Sequence, residues 1–405
     1  MGLFSSDYNY LGINLGASSI KLVELANEKG VPKLVTYAFT DQSVNIIMDD
    51  SKEAINKTVD ILRQLCKEAN VTSNKVITAL PTFSVFSSII SLPQMKKKDL
   101  ASAVQWEAKK IIPIPIDEIS LDWHILNEDK KKDFLQNKKG AALKDDKIEA
   151  EHNNNVGGNS GFGNSDETEN AKNSFNKKKK EKQEDKDIKI FLTGAPKNLV
   201  KKYMTIFERA ELNLLSLETE IFSLIRSLVG NDKSTLMIVD IGLTSSSVSI
   251  IQDGFPVINR SIEVGGRNVT EAISKNLNVS FGRGEQFKYD VGVNQEGSAV
   301  FQSVEKVVAP IIDEIKYTID FFKNQLNFGQ AADNSNNNDI EKIILTGGSS
   351  QLSYLPEYLS HILNKKVYTG DPFARIIYPQ DLKLVFQDIG SKLSVAVGLA
   401  MREIE

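Results

Sequence analysis

Short apolar runs alternate with longer amphipathic stretches along most of this 405-residue chain, a pattern typical of α/β folds. In the first half, apolar runs of strand length predict strands at 10–16, 19–26, 32–39, 75–80, 84–92, 119–126, 187–193 and 213–218. Apolar positions at helical spacing predict helices at 50–69, 97–111, 197–211 and 219–229. The first half therefore opens with three strands and continues with mixed helices and strands.

The second half of the chain repeats this order of elements. Strands at 236–242, 245–252 and 255–262 precede helices near 266–276, 283–290 and 299–327, a strand from Lys342, and a helix near 352–363. The long helix carries one apolar stripe, formed by Val308, Ile311, Ile312, Ile315, Ile319, Phe322 and Leu326. Two halves with the same order predict two similar α/β domains around a cleft, and the β-α-β-β block at 84–193 is additional to the first.

One segment, residues 128–187, differs in composition from the rest. It is rich in Lys, Asp, Glu and Asn and its few apolar residues follow no period, so we expect it to be disordered. The strand-like segments on either side place this insertion at a hairpin between paired strands. Asn-rich residues 329–339 predict a second, shorter surface insertion.

Charge and composition argue against several classes of function and site. Lys and Arg number 49 against 53 Asp and Glu, and a net charge of -4 argues against a nucleic-acid surface. The single cysteine, Cys66, excludes an intramolecular disulfide and lies in an amphipathic pattern that predicts a buried thiol. The histidines lack zinc-type spacing. We see no signal peptide or membrane-spanning run and expect a cytoplasmic protein.

Two similar segments, 11–21 and 237–248, each join apolar strands through a glycine and small hydroxylated residues. Glycine allows close approach of the backbone to a ligand, and turn amides with Ser or Thr hydroxyls can hold phosphate oxygens. Either segment alone is weak evidence for phosphate binding, because Gly-Ser turns between strands are common and an ordinary β-turn has the same pattern. A third segment, 342–350, is a strand that ends in a double glycine, and the helix predicted after it would begin at an anion site.

The order and spacing of these segments resemble the two phosphate motifs and the adenosine motif of the actin-like ATPase superfamily. Residues 106–119, WEAKKIIPIPIDEI, resemble a motif of the PilM family, bacterial type IV pilus assembly proteins related to the cell-division protein FtsA. Residues 16–25 are also similar to this family, and residues 394–402 resemble the last helix of the superfamily. The resemblance covers nearly the whole chain and implies an actin-like (ribonuclease H-like) two-domain α/β fold with a small FtsA-type 1C subdomain.

This resemblance also implies domain boundaries. They are 8–81, 194–232 and 380–405 for domain 1 (1A), 82–193 for subdomain 1C with its insertion, and 233–379 for domain 2. We expect Trp106 to face the core of 1C. Pro113 and Pro115 are expected to end the helix that carries Trp106 and to fix how 1C leans on domain 1.

By the same resemblance, the cleft binds ATP and Mg²⁺. The expected nucleotide contacts are Gly16, Ala17, Ser18, Ser19, Lys21, Gly242, Thr244, Ser245, Ser246, Glu285, Lys288, Gly347, Gly348 and Ser349. Asp240, and Asn14 through water, are expected to hold the metal. The superfamily usually has Asp at the position of Asn14, and the loss of this charge favours binding over fast hydrolysis.

Several of these residues have simpler interpretations. Lys21 on its strand could face solvent, and Glu285 with Lys288 could form a surface ion pair. Glu220 matches by position the catalytic residue that orients water in hydrolysing relatives, but an acidic residue also suits any helix start. The nearby Glu218 could be confused with it.

The resemblance implies an ATP-binding adaptor of type IV pilus, secretion or competence assembly, and at most a weak ATPase. A groove between 1A and 1C is expected to bind the N-terminal cytoplasmic tail of a PilN-like inner-membrane protein, which holds this protein at the membrane periphery. Pilus ATPases are further candidate partners. The alternatives are an actively hydrolysing ATPase, an FtsA-like division tether, which would need a C-terminal amphipathic helix, and a sugar kinase.

Overall fold

In the described part of the chain, thirteen strands and nine α-helices follow the predicted order closely. The computed structural model describes residues 8–16, 19–40, 49–126, 187–290, 298–329 and 339–404. The strands are β1 (Asn9–Leu15), β2 (Ile20–Glu28), β3 (Val31–Phe39), β4 (Lys75–Leu80), β5 (Phe86–Leu92), β6 (Ile119–Ile125), β7 (Ile188–Pro196), β8 (Asn213–Thr219), β9 (Leu236–Ile241), β10 (Ser246–Gln252), β11 (Phe255–Ile262), β12 (Lys342–Thr346) and β13 (Lys366–Thr369). The helices are α1 (Lys52–Glu68), α2 (Lys97–Ile111), α3 (Lys197–Arg209), α4 (Glu220–Leu224), α5 (Gly266–Leu277), α6 (Phe281–Asp290), α7 (Ala299–Gly329), α8 (Leu355–Leu363) and α9 (Lys383–Met401).

Two five-stranded sheets have the same internal layout. Their strand orders are β3-β2-β1-β4-β8 and β11-β10-β9-β12-β13, so the predicted repetition of the two halves is confirmed. In each sheet the first three strands are antiparallel and the last two run parallel to the first strand. The carboxyl ends of the parallel strands therefore meet at one edge of each sheet, where α/β folds commonly bind ligands.

Helix α9 packs closely on the first sheet. A side chain at Gly12 of β1 would approach the Ala396 carbonyl oxygen to 2.0 Å, so the contact requires glycine. Within the described residues, Gln380–Met401 is the one helical stretch long and apolar enough to span a membrane, and two thirds of it is buried. Its packing against β1, β2 and α4 accounts for this apolar composition.

The apolar stripe of α7 is buried against the second sheet, as predicted. Val308, Ile311 and Ile315 are each at most 1% exposed, and Ile312, Ile319 and Phe322 belong to the same core. The side chain of Leu326 lies outside the described ones. Burial of each such side chain contributes about 1.5–3 kcal/mol to folding, which anchors the long helix.

The third sheet, β5-β7-β6, lies between β4 and α3 in the chain and carries α2, so the predicted β-α-β-β block is confirmed. Trp106, however, does not face its core, and that expectation is wrong. Leu100, Val104 and Ala108 form the buried stripe of α2, whereas the Trp106 side chain is 67% exposed. Trp106 is two residues from Val104 and from Ala108, a spacing that points to the opposite side of a helix.

Two elements of the second half differ from the sequence prediction. The helix predicted to follow the double glycine begins later, at Leu355, because a short 3₁₀ turn at Gly348–Gln351 intervenes. Strand β13 has no counterpart in the sequence prediction, since it is four residues long and begins with the exposed Lys366. The insertion at 128–187 lies outside the described residues except for Asp187, as does most of 329–339.

Candidate nucleotide site

A cleft of about 330 Å³ lies where the carboxyl ends of the parallel strands in the two five-stranded sheets face each other. In the first sheet, β1 places Asn14 in the cleft wall, and Glu220 directly follows β8. In the second sheet, β9 and β12 place Asp240 and Gly347 at the opposite wall, because Thr346 aligns with Asp240 in the strand register. The topology alone therefore brings residues from distant parts of the sequence together.

The first hairpin presents a cation to the cleft. The Gly16 amide donates to the Ser19 carbonyl at 3.1 Å and closes the turn. A side chain at Gly16 would lie 3.2 Å from the Lys21 ammonium nitrogen, so the glycine lets Lys21 pack against the turn. Gly16, Ser19 and Lys21 all line the cleft, and Lys21 is thus not a solvent-facing strand lysine. Ala17 and Ser18 lie outside the described residues.

The second hairpin has the same turn closure. The Gly242 amide donates to the Ser245 carbonyl at 3.0 Å, and Gly242, Thr244 and Ser245 line the cleft. Ser246 differs from this group, because its buried hydroxyl donates to the Val264 carbonyl at 2.6 Å. The location of Ser246 does not support the nucleotide contact that was predicted for it.

Two acids and an amide meet at the centre of the cleft. Burial, reinforced by the negative charge of Asp240, raises the pKa of Glu220 to about 7. Burial also raises the pKa of Asp240 to about 6, against the opposing effect of the Lys21 ammonium. The buried Oδ1 atom of Asn14 has no hydrogen-bond partner among the described residues. These groups are therefore poised to accept a ligand that supplies positive charge or hydrogen-bond donors.

The neighbouring Glu218 has a different environment. Its carboxylate accepts from the Arg226 guanidinium at 3.0 and 3.1 Å and lies 3.6 Å from Arg402. It is not among the residues that line the cleft. Of the two acids that the sequence leaves as candidates, the structure places Glu220 in the cleft and Glu218 in a buried ion network.

The Glu285–Lys288 pair is part of the cleft wall and not a surface ion pair. Lys288 is 1% exposed, and its ammonium donates to Glu285 at 2.6 Å and to the Thr270 hydroxyl at 3.2 Å. Burial lowers the pKa of Lys288, and the contact with Glu285 opposes that shift. The Tyr289 ring centroid lies 4.9 Å from the Lys288 ammonium and 5.9 Å from that of Lys392.

The double glycine has two distinct roles. Gly347 adopts a φ of 87°, and a side chain there would approach an Asp240 carboxylate oxygen to 2.3 Å, so only glycine fits. At Gly348 the nearest atom to an added side chain is in Lys392, at 3.6 Å, which is an ordinary contact. Ser349 donates to the Gly242 carbonyl at 3.2 Å and ties this segment to the second hairpin.

The sequence analysis missed several residues that line the cleft, among them Thr82, Tyr289, Ser391 and Lys392. No motif in the sequence marks Lys392. The one local signal is its position among small residues in an otherwise apolar helix, next to Ser391. Its place in the cleft depends on the packing of α9 across both sheets.

The residues present fit a polyphosphate and a divalent ion. Lys21, Lys288 and Lys392, together with the hairpin turns, suit an anion that carries several charges. Asp240, Glu220 and the unpartnered Asn14 oxygen suit the water shell of Mg²⁺, an ion that keeps several of its waters in proteins. The described residues contain no group of three or more His, Cys, Asp or Glu arranged to hold a metal directly. Water-mediated binding is therefore the arrangement that these residues favour.

Comparison with known proteins shows the family. The family model described as type IV pilus assembly protein PilM matches residues 12–156 and 169–404. The chain belongs to the PilM family. The fold is similar to a chain in a solved PilM-PilN type IV pilus biogenesis complex, with a TM-score of 0.73 and 22% identity over 98% of both chains. The fold is therefore actin-like with an FtsA-type 1C subdomain, as predicted.

More distant similarities agree with this fold. The ethanolamine utilization protein EutJ from Carboxydothermus hydrogenoformans aligns with a TM-score of 0.50 and 14% identity, over 98% of this chain and 90% of EutJ. The cell division protein FtsA of Staphylococcus epidermidis is 27% identical over 168 residues, which are 39% of this chain and 36% of FtsA. The chain thus spans about a third of the length of the curated relatives that it matches.

Proposed function

We propose that this PilM-family protein is an ATP-binding adaptor of type IV pilus, or related secretion or competence, assembly. The observation that carries this proposal is the cleft itself, in which lysines from three separate elements surround two glycine turns. We assign the phosphates to the hairpin turns and Lys21. We assign the ribose side to Glu285 and Lys288, with the Gly347–Gly348 backbone leaving room for the base.

The metal would be held through water by Asp240 and Asn14, and Mg²⁺, when bound, would neutralise phosphate charge. Glu220 has a second role in this proposal. A carboxylate whose pKa lies near 7 can accept a proton from water at neutral pH, which supports slow hydrolysis. Asn14 opposes fast hydrolysis, because an amide orients metal-bound water less strongly than a carboxylate. A hydrolysing ATPase is therefore the second candidate, and the environment of Glu220 favours it.

The partner that we propose is the N-terminal cytoplasmic tail of a PilN-like inner-membrane protein, bound between 1A and 1C. A related fold has been solved in a PilM-PilN complex, which supports this choice. Within the described residues the outer strands β5 and β6 each have one unpaired edge, and extended peptides can bind such edges through main-chain hydrogen bonds. Such a partner would hold a cytoplasmic protein at the inner membrane.

A tryptophan at Gly348 tests the nucleotide site. The side chain would project towards Lys392 without a backbone clash, so we expect a folded variant whose affinity for ATP and Mg²⁺ falls at least about 100-fold. Isothermal titration calorimetry measures the affinity and thermal unfolding checks the fold. The matched control is Leu384→Trp, because Leu384 is 73% exposed and does not line the cleft. Undiminished ATP affinity in folded Gly348→Trp would show that the site is misplaced.

Hydrolysis and partner binding separate the two candidates. Single-turnover ATP hydrolysis and binding of a synthetic partner-tail peptide are measured with ATP and with a non-hydrolysable analogue. The adaptor proposal expects the analogue to support tail binding as well as ATP does. A requirement of tail binding for turnover would favour the hydrolysing ATPase instead.

A further inference from the structure

The chain leaves the first five-stranded sheet at the end of β4 and enters β5 after five residues, and this crossing touches the cleft. The main-chain amide of Thr82 donates to a carboxylate oxygen of Glu220 at 3.2 Å. Thr82 is 8% exposed, and the carboxylate that it holds lines the candidate nucleotide site. A backbone group of the crossing is therefore bound to a side chain of the cleft.

The crossing is stiff. The amide and the hydroxyl of Ser84 both donate to the Pro81 carbonyl, at 2.9 and 2.7 Å, and the Val85 amide donates to the Thr82 carbonyl at 3.4 Å. Val85 alone separates this 3₁₀ turn from β5. Because so little chain lies between them, a displacement of Thr82 must move the start of β5.

There is also space for that movement. A second cavity, of about 720 Å³, lies between the crossing and the second half of the molecule. Phe83 and Phe86 line it from one side and Asn259 and Arg267 line it from the other, while Thr82 borders both this cavity and the cleft. The end of the three-stranded sheet thus borders open space on the side that faces β11, although β5 and the 3₁₀ turn also contact β11.

Binding of a polyphosphate would change the surroundings of Glu220. The neighbours that act on this carboxylate are Asp240, which repels it, Lys21, which attracts it, and the hydrogen-bonding Asn14. An anion that engages Lys21, together with its counter-ion, would alter each of these interactions. The Glu220 carboxylate must then adjust, and the Thr82 amide must either follow it or lose a buried hydrogen bond.

Resting on the nucleotide site proposed above, we infer that Thr82 is a positioning residue whose amide transmits occupancy of the cleft, through Glu220, to the three-stranded sheet. The corresponding position in the second half of the chain has no such connection. At the equivalent position after β12, the 3₁₀ turn at Gly348–Gln351 leads to α8 and not into an additional sheet. In the first half, the crossing after β4 connects the cleft to a separate sheet.

A pair of substitutions at Thr82 separates the amide donor from the side chain. In Thr82→Pro the N–H is lost at the first residue of a 3₁₀ turn, where proline is tolerated. The preceding residue, Pro81, already has ψ of 139°, which is the extended conformation required before proline. The matched control is Thr82→Val, which keeps the amide and the side-chain shape and loses the hydroxyl.

Hydrogen–deuterium exchange of peptides covering 83–92 is measured with and without ATP and Mg²⁺, at concentrations that calorimetry shows to saturate each variant. We expect nucleotide to slow exchange in β5 at least threefold in the wild type and in Thr82→Val, and to leave it unchanged in Thr82→Pro. Equal slowing in Thr82→Pro would overturn the inference, as would no slowing in a wild type that binds nucleotide. If calorimetry detects no binding to the wild type, the nucleotide proposal itself fails.

A second pair of variants applies if Thr82→Pro does not fold. Glu220→Gln keeps a side-chain oxygen that can accept from Thr82, whereas Glu220→Ala has none. We expect nucleotide-dependent slowing in β5 to persist in Glu220→Gln and to disappear in Glu220→Ala. Any other pattern in folded, nucleotide-saturated protein contradicts a role for this hydrogen bond.

Discussion

The two hairpins that face each other across the cleft share a backbone but differ in charge. In both, a glycine amide closes the turn onto the carbonyl of a serine three residues later. In the first hairpin Asn14 lies opposite Lys21, and in the second Asp240 lies opposite Ser247. The shared turn provides amides suited to phosphate, while the first hairpin supplies the cation and the second supplies the acid. The two halves thus share the turn and divide the charged groups between them.

The halves differ again after their second parallel strand. In the second half Gly347 follows β12 with a positive φ, in contact with Asp240. In the first half Pro81 follows β4, and the chain enters the block that contains the third sheet. The block that contains the third sheet thus begins at Pro81, whose counterpart in the other half, Gly347, also lines the cleft, and this places the start of the block next to the cleft.

Among changes to the charged groups of the two hairpins, loss of the cation in the first should have the largest effect. We expect Lys21→Met to weaken ATP binding about 10- to 150-fold, because a hydrogen bond to a charged group contributes about 1.5–3 kcal/mol. Calorimetry measures the change. Lys33→Met is the control, because its ammonium pairs with Glu28 at 3.2 Å on the surface, away from the cleft. Equal affinities of the two variants would refute the assigned role of the first hairpin.

The second prediction concerns the acids. The pKa of Glu220 rises from 4.5 to about 7 in the folded state, so between these values the unfolded chain has released a proton that the folded chain retains. The stability of the nucleotide-free protein should therefore fall as pH rises from about 4.5 to about 7. Glu220→Gln should remove roughly 2 kcal/mol of this decline, a value discounted for partial exposure.

Urea unfolding at pH 5 and pH 8 measures this difference. The exposed Glu208→Gln on α3 is the control and should leave the decline as it is in the wild type. If Glu220→Gln and the wild type lose the same stability between the two pH values, Glu220 is ionised throughout in the folded protein.

The third prediction concerns a substitution that makes the two hairpins more alike. Asn14→Asp should raise Mg²⁺ affinity in the ATP complex about tenfold and speed single-turnover hydrolysis, because a carboxylate accepts stronger hydrogen bonds from metal-bound water. Tail binding with ATP should change little. Asn14→Ala is the control and should show neither gain. If Asn14→Asp hydrolyses no faster than the wild type, the missing charge does not limit turnover.

The smallest effect is expected from deletion of residues 129–186. Strands β6 and β7 are antiparallel neighbours, and the Leu126 amide donates to the Lys189 carbonyl at 2.7 Å, so a short turn can join them. Loop length costs only about 0.6 kcal/mol per doubling, so melting temperature and ATP affinity should stay nearly unchanged. A control deletion that also removes 121–126 takes out most of β6 and should destabilise the protein. If the variant that lacks only residues 129–186 fails to fold, the deleted segment is structural.

Local signals explain which predictions succeeded. Strand and helix periods, the glycine turns and the stripe of α7 each depend on residues close together in the chain. The expectation for Trp106 was wrong, although the spacing of Leu100, Val104 and Ala108 already defined the buried side of α2. The late start of α8 reflects the local preference of Gly348–Gln351 for a 3₁₀ turn.

The sequence by itself determined the two repeated halves and the hairpins, because strand periodicity and glycine turns are encoded in neighbouring residues. The candidates Lys21, Asp240 and Glu220 followed from the resemblance of these segments to the actin-like ATPase superfamily. Only the tertiary structure decided that Lys392 joins the cleft, that Glu218 lies in an ion network, and that the Thr82 amide holds Glu220. Every residue except proline carries the same backbone amide, so the pattern of side chains does not predict which acceptor a given amide binds. Contacts between groups more than a hundred residues apart depend on how the sheets and α9 pack, which local patterns do not record.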